Sequence, residues 1–147
     1  MEIRELEYED IPAYLELLKE LDKDETMSIN EARQLFVKIK SYPFYKVYKA
    51  ANDAGVFTGT FTLIVCENFG HGGLKFAIAE NVVVHPEFKR MGIGKAMMAK
   101  ALEIAAKHGC YKLMLSSNEK RTEAHFFYDD LGFERHGISF RTELNTK

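Results

Sequence analysis

Cysteine is scarce in this chain, which has two, Cys66 and Cys110, among 147 residues. A secreted scaffold held together by disulfides needs more cysteines, so we expect two reduced thiols in a cytoplasmic protein. The chain has no C-x-x-C motif, and its five histidines do not have the spacing of metal ligands. We therefore expect neither a disulfide framework nor a bound metal ion.

Long apolar runs and an excess of one charge are also missing. No run approaches the roughly 20 residues that cross a bilayer, and the acidic, alternating start MEIRELEYED is unlike a signal or transit peptide. The formal net charge of −2 creates no basic field that would favour nucleic acid. We expect a cytoplasmic protein with no nucleic-acid or membrane partner. A length of 147 residues predicts one domain over residues 1–147, and a hydrophobic share of 46% is ordinary for a globular protein.

The hydrophobic pattern predicts alternating groups of strands and helices. Asp10 and Ser28 are suited to cap two early helices, and residues 52–55 are typical of a hairpin turn. This order predicts an α/β fold in which a mixed sheet carries helices on its faces. The expected elements are strand 2–8, helices from Asp10 and Ser28, strands 44–51, 56–67 and 74–85, helix 92–107, strand 111–117, helix 119–131 and strand 138–144.

The segment KRMGIGKAMM, residues 89–98, follows the expected strand 74–85, the fourth of the chain, and begins a helical pattern. It carries two glycines and three positive charges. A dinucleotide fingerprint requires a third glycine where Met97 stands. A Walker A loop requires a hydroxyl where Ala96 stands and a glycine where Lys89 stands. What remains is a helix start whose N–H groups, dipole and cations attract phosphate without a metal. The alternative is an ordinary helix start with solvated lysines.

Two segments resemble the GNAT superfamily of acyl-CoA-dependent N-acetyltransferases. Residues 89–94, KRMGIG, are similar to its R/Q-x-x-G-x-G/A motif, with lysine at the first position. Residues 118–133 are similar to its N-x-x-(variable)-A-x-x-F/L-Y-x-x-x-G-F segment, and the order of elements agrees along the chain. The residues that match this second segment are Asn118, Ala124, Tyr128, Gly132 and Phe133.

The resemblance implies a GNAT-like fold whose central sheet splays between strands 4 and 5 and holds acetyl-CoA there. The pyrophosphate would lie on the glycine loop, and the pantetheine arm would pair with the fourth strand. Arg121 would meet the 3′-phosphate of CoA or an anionic acceptor, unless it belongs to a solvated helix end. The implied cofactor-binding residues are Val82, Val83, Val84, Lys89, Arg90, Met91, Gly92, Ile93, Gly94, Lys95, Asn118 and Arg121.

The resemblance also implies two catalytic residues. Tyr128 would be the general acid, because a phenol with an ordinary pKa of about 10 can protonate the departing thiolate. The alternative is that Tyr128 packs in a core with Phe126 or Phe127. Glu80 would accept the proton of the attacking amine, directly or through a water, if its strand lines the cleft. The alternative is an ordinary carboxylate at a strand edge.

We therefore predict an acetyltransferase that moves the acetyl group of acetyl-CoA to a primary amine by direct attack in a ternary complex. A small-molecule acceptor is favoured over a peptide or protein, which would need an open groove. A CoA-binding sensor without turnover is a third hypothesis, although it would not need Tyr128. Pairing through a C-terminal strand is common in the family, so a homodimer is a further hypothesis.

Overall fold

The computed structural model describes residues 1–24 and 27–145. The chain divides into two compact units, one from Met1 to Leu115 and one from Ser116 onward; the prediction of a single domain stays a prediction. None of the helices in the described part is long and apolar enough to cross a membrane. The first unit contains β1 (Glu2–Glu5), α1 (Ile11–Leu18), α2 (Ile29–Ile39), β2 (Tyr45–Ala51), β3 (Phe57–Cys66), β4 (Lys75–Val84), α3 (Ile93–Lys107) and β5 (Cys110–Met114), and the second contains α4 (Thr122–Asp130).

The five strands form one sheet in the order β1-β2-β3-β4-β5. Neighbouring strands are antiparallel except β4 and β5, which are parallel. The predicted α/β fold with a mixed sheet is therefore confirmed. The β4–β5 ladder ends at the pair Ile78–Met114. Beyond Ile78, β4 runs on to Val84 with no described strand on that side, as expected of a sheet that opens between strands 4 and 5.

Helix α2 begins where the sequence predicts. The Ser28 hydroxyl accepts a hydrogen bond from the Glu31 N–H at 3.2 Å, and the Glu31 carboxylate accepts one from the Ser28 N–H at 2.9 Å. This reciprocal pair is a capping box. Asp10 stands at the N-cap of α1, but its side chain does not cap the helix.

The two faces of the sheet bury different helices. On one face Met97, Met98 and Ala101 of α3 are almost fully buried. On the other face Ile11 and Ala32 bring α1 and α2 into one apolar cluster. The sheet is therefore covered on both sides, which explains why the long strands β3 and β4 are rich in buried side chains.

The prediction of a last strand at 138–144 is wrong. These residues are irregular in the structure, although apolar and polar side chains alternate along them. An alternating segment becomes a strand only when another strand bonds to its backbone, and none of the described residues does so. Ile138, Phe140 and Leu144 are consequently exposed by 82%, 88% and 76%.

Asp10 joins the start of α1 to the sheet through charge. Its carboxylate accepts hydrogen bonds from Lys49 at 2.7 Å and from Arg4 at 3.0 Å. Burial by itself raises the pKa of the Asp10 carboxyl, but the bonds from Lys49, the Glu7 N–H and Arg4 together hold that pKa below its ordinary value. The ionised form is therefore the one that stabilises the fold.

We expect Asp10→Asn to lower the free energy of unfolding by about 2 kcal/mol at neutral pH, less than is typical of a fully buried pair. Because folding lowers the pKa, this contribution is complete above the unfolded value near 3.9 and is lost as pH falls through the folded value. Urea unfolding of both proteins from pH 7 to pH 2 measures the difference. Glu103→Gln, which removes an exposed carboxylate, is the control. An equal loss of unfolding free energy in both variants would contradict the stabilising role of the Asp10 carboxylate.

Candidate active site

The glycine loop leads from β4 into α3 through two left-handed residues. A short 3-10 turn at Pro86–Phe88 follows β4, and then Arg90 and Gly92 adopt φ values of +63° and +79°. Gly92 is the N-cap of α3, and the first helical bond runs from the Ala96 N–H to its carbonyl. A Cβ atom on Gly92 would meet nothing within 4 Å. The backbone at this turn is therefore open to the approach of a ligand.

The N-terminus of α3 has free hydrogen-bond donors and no compensating acid. No side chain caps this helix of 15 residues, and its first turn contains no acidic residue. Lys100 and Lys107 of α3 pair with Glu103, whereas Lys89, Arg90 and Lys95 form no ion pair with any described residue. Uncapped N–H groups, the positive end of the helix dipole and unpaired cations together favour a bound anion. The structure thus brings the predicted loop residues together at an uncapped helix start with the chemistry that suits an anion; their role toward a cofactor stays a prediction.

A β-bulge bends β4 just before this loop. Thr60 pairs with Val83 and Thr62 pairs with Glu80, so Asn81 and Val82 both lie opposite Phe61. Asn81 adopts a left-handed φ of +50°. A bulge interrupts the ladder and re-aims the strand. The bulge is not predicted from the sequence, because the run NVVV has no glycine and an asparagine alone does not mark such a position.

The three valines implied as cofactor-binding residues follow the bulge. The Val83 side chain is 5% exposed and belongs to the core, while Val82 and Val84 are half-buried. Because β5 ends opposite Ile78, the backbone of this stretch has no described strand beside it on that edge. Backbone amides of this kind can pair with an extended amide-bearing ligand.

Glu80 lies on β4 immediately before the bulge and is exposed. Across the sheet its charge reaches Tyr45, where burial and then the Glu80 carboxylate raise the pKa of the phenol. Glu80 thus presents an accessible carboxylate. Such a group can accept a proton from an amine.

Gly59 of β3 is a residue that the sequence analysis missed. A Cβ atom there would lie 2.8 Å from Met97 Sδ, 3.0 Å from the Val83 carbonyl oxygen and 3.3 Å from Ile93 Cγ2. The glycine lets the uncapped start of α3 approach the sheet closely. The sequence does contain a signal for this contact, because a glycine inside the β-branched run FTGTFTL indicates that another part of the chain approaches closely.

We expect Gly59→Ala to lower the free energy of unfolding by about 1–3 kcal/mol, because the Val83 carbonyl is backbone and yields less easily than the Met97 side chain. The displaced start of α3 should also weaken the binding of acetyl-CoA, the cofactor that the family resemblance implies. Chemical unfolding and calorimetric titration measure the two effects. A variant with unchanged stability would show that the space at Gly59 is not limiting.

The second unit contains the other predicted site residues. The Asn118 side-chain oxygen accepts a hydrogen bond from the Lys120 N–H at 2.9 Å, and its backbone oxygen lies 2.8 Å from His125 Nε2. Asn118 thus orders the turn that leads into α4, whose N-cap is Arg121. The roles of Asn118 and Arg121 toward a cofactor stay predictions.

Tyr128 is held on α4 by two aromatic neighbours. Its ring lies 5.1 Å from that of Phe127 and 5.7 Å from that of Phe133, both edge to face. Burial raises the pKa of the Tyr128 phenol above 10, and the charge of Arg121 opposes the rise. The phenol therefore keeps its proton at neutral pH. Packing with Phe127, the alternative for Tyr128, is present, and the role of Tyr128 as general acid stays a prediction.

No group of three His, Cys, Asp or Glu residues in the described part of the chain is placed to hold a metal ion. The absence of a metal from the reaction stays a prediction. Cys66 and Cys110 are free and half-buried.

Comparisons with known proteins match this chain to acetyltransferases. The Acetyltransferase (GNAT) family model matches residues 3–133. The chain is 32% identical to glucosamine 6-phosphate N-acetyltransferase of Trypanosoma brucei brucei over 145 residues, 98% of this chain and 96% of that protein. A crystal structure of a Trypanosoma brucei acetyltransferase is 30% identical with a TM-score of 0.85, covering 97% of this chain and 99% of that one. Glucosamine-6-phosphate N-acetyltransferase from Arabidopsis thaliana, 24% identical over 98% of both chains, shares the fold with a TM-score of 0.87.

Proposed function

The chain belongs to the GNAT acetyltransferase family, and from this premise we propose that it transfers the acetyl group of acetyl-CoA to the primary amine of a small molecule. The observation that carries the proposal is the uncapped start of α3, with left-handed Gly92 and no acid in its first turn. An amino sugar phosphate such as glucosamine 6-phosphate is the first acceptor to test, because the trypanosomal relative is named for that substrate.

Four features of the first unit fit acetyl-CoA. The free N–H groups of Ile93, Gly94 and Lys95 suit a pyrophosphate, and the open space at Gly92 admits it. Lys89, Arg90 and Met91 precede this turn, and the two cations add charge complementarity. The unpaired edge of β4 suits the amides of the pantetheine arm. When bound there, acetyl-CoA supplies a thioester whose carbonyl carbon an amine can attack.

We assign the proton transfers to Glu80 and Tyr128. An alkylamine with a pKa near 10 is mostly protonated at neutral pH, so a base must remove its proton before or during attack. The exposed Glu80 carboxylate takes that proton. As the carbon–sulfur bond breaks, the Tyr128 phenol gives its proton to the sulfur, and Arg121 stabilises the phenolate that remains. The ammonium nitrogen loses two protons on its way to the amide, the first to Glu80 and the second to solvent, and the sulfur takes the proton of Tyr128. Once solvent has taken the proton from Glu80 and reprotonated Tyr128, one proton is released in each transfer, so the reaction is balanced.

We also propose a homodimer. The exposed apolar residues of the irregular segment 138–144 are suited to contact a second copy of the chain. Sedimentation analysis of the protein with and without residues 138–147 measures the oligomeric state. A cytoplasmic location and the lack of nucleic-acid and membrane partners stay predictions.

A panel of acceptors tests the proposed function. Protein and acetyl-CoA are mixed with glucosamine 6-phosphate, with other small primary amines, or with a peptide that has a free N-terminus, and free thiol is measured. We expect thiol release that depends on a small amine. Release with the peptide alone would favour a peptide acetyltransferase, and tight CoA binding without release would favour the sensor.

A further inference from the structure

Three threonines of β3 share one face of the sheet but not one pattern of hydrogen bonds. Thr58, Thr60 and Thr62 alternate along the strand, and each is 0% exposed. The Thr58 hydroxyl donates to the Ala50 carbonyl at 3.2 Å, and the Thr60 hydroxyl donates to the Tyr48 carbonyl at 2.8 Å. Continuing this repeat, Thr62 would donate to the carbonyl of Lys46. Instead, the Thr62 hydroxyl has no hydrogen-bond partner among the described residues.

A buried hydroxyl without a partner is unfavourable and therefore uncommon. An isosteric valine would fill the same volume without that cost and has a high preference for strands. The two threonines before it show that the bond to the neighbouring strand is geometrically available. Thr62 is thus not explained by the stability of the fold.

In the ladder between β3 and β4, Thr62 pairs with Glu80. Side chains directly opposite each other have Cβ atoms about 5 Å apart, a gap that a glutamate can span with its carboxylate. The Glu80 carboxylate is exposed and forms no ion pair or hydrogen bond with the described residues. A free acceptor is therefore carried by the residue that pairs with Thr62 in the β3–β4 ladder, within the distance that a glutamate side chain spans.

Two tyrosines complete the surroundings of this pair. Tyr14 of α1 approaches Thr62 with its hydroxyl, although not in the geometry of an ordinary hydrogen bond. Burial raises the pKa of Tyr14 to about 12, and Thr62 opposes the rise. Tyr14 therefore stays protonated and can direct its hydrogen toward the Thr62 oxygen. Tyr45 of β2 is close enough for its phenol to respond to the Glu80 charge.

We propose that Thr62 is a positioning residue, whose hydroxyl donates a hydrogen bond to the Glu80 carboxylate when the acceptor amine is bound. This role rests on the proposed function, in which Glu80 takes the proton of the amine. Thr62 holds one carboxylate oxygen, so the other faces the amine nitrogen. The proton moves from that nitrogen to Glu80, while Thr62 and Tyr14 keep theirs. The bond is left unmade in the resting protein because the carboxylate is then in solvent.

The test compares Thr62→Val with Thr60→Val, which alters the same residue type on the same face of the same strand. With saturating acetyl-CoA and glucosamine 6-phosphate as the acceptor, we expect Thr62→Val to lower kcat about tenfold, the effect of a lost hydrogen bond to a charged group. KM for the acceptor should change less than about twofold, because the bond positions the base rather than the substrate. Thr60→Val should leave kcat near the wild-type value.

Thermal unfolding separates this role from a structural one. Thr62→Val should unfold at the wild-type temperature or above it, since no bond is lost in the resting protein. Thr60→Val should unfold at a lower temperature, because it loses its bond to Tyr48. If Thr62→Val were destabilised as much as Thr60→Val, its hydroxyl would have an internal partner and the proposal would be wrong.

A double-mutant cycle with Glu80→Gln tests whether Thr62 affects kcat through Glu80. If Thr62 acts through Glu80, adding Thr62→Val to Glu80→Gln should lower kcat by less than about twofold further. A full tenfold loss in the Gln background, or an unchanged kcat in Thr62→Val alone, would overturn the positioning role while the acetyltransferase function stands. Wild-type protein that turns over no amine at all would overturn the proposed function and this role with it.

Discussion

Replacing Tyr128 by phenylalanine is expected to lower kcat for acetyl transfer by at least about 10²-fold while acetyl-CoA affinity changes less than about twofold. The thiolate that leaves the acetyl carbon is unstable at neutral pH, and the phenol is the proposed donor of its proton. The raised pKa of Tyr128 keeps that proton in place until sulfur charge develops. Pre-steady-state thiol release and calorimetric titration measure the two quantities.

The phenylalanine variant is a clean change because both aromatic contacts of Tyr128 involve its ring. Its unfolding temperature should therefore stay close to that of the wild type. Tyr42→Phe, at an exposed tyrosine, controls for the loss of any phenol and should retain full activity. The alkaline limb of the kcat profile should also disappear in Tyr128→Phe, because that limb reports deprotonation of the acid. An unchanged kcat would remove Tyr128 from the mechanism.

Gly92→Ala is expected to weaken the binding of acetyl-CoA by about tenfold. A left-handed residue with a Cβ atom costs roughly 1–2 kcal/mol, and the new methyl group enters the open space where the pyrophosphate is proposed to lie. The loop relieves the strain by moving, which displaces the N–H groups of α3. Calorimetric titration of both proteins with acetyl-CoA measures the change.

Gly55 provides a matched control for this prediction. It has φ +78° against +79° for Gly92, and neither glycine has an atom within 4 Å of a Cβ position. Gly55→Ala in the hairpin turn should therefore cost similar stability but leave the Kd for acetyl-CoA unchanged. Equal Kd values for the two variants would contradict the assignment of the pyrophosphate to the turn at Gly92.

The features that the sequence predicted correctly have local causes. The capping box at Ser28 depends on residues 28–31, and the hairpin at 52–55 depends on the turn itself. The glycine loop was found because its conformation requires a glycine at residue 92, where φ is positive. Such signals lie within a few residues and can be read without a structure.

The features that the sequence did not predict depend on distant neighbours. Residues 138–144 alternate as a strand should, yet pairing depends on a partner that the pattern does not supply. The bulge at Asn81 arises from the register of β4 against β3. Asparagine tolerates the left-handed φ there, but an asparagine alone does not mark a bulge. The free hydroxyl of Thr62 depends on its place opposite Glu80 and on the approach of Tyr14 from α1. Only packing reveals these three features.

The central claim, direct acetyl transfer to a small amine, is tested most directly by following the acetyl group itself. Wild-type protein is incubated with acetyl-CoA that carries 13C in its acetyl group and with glucosamine 6-phosphate, and products and intact protein are examined by mass spectrometry. We predict label on the amine nitrogen in an amount equal to the free thiol, with none on the protein. Label on Cys66 or Cys110 as a competent intermediate, or thiol release without acetylated amine, would contradict the account.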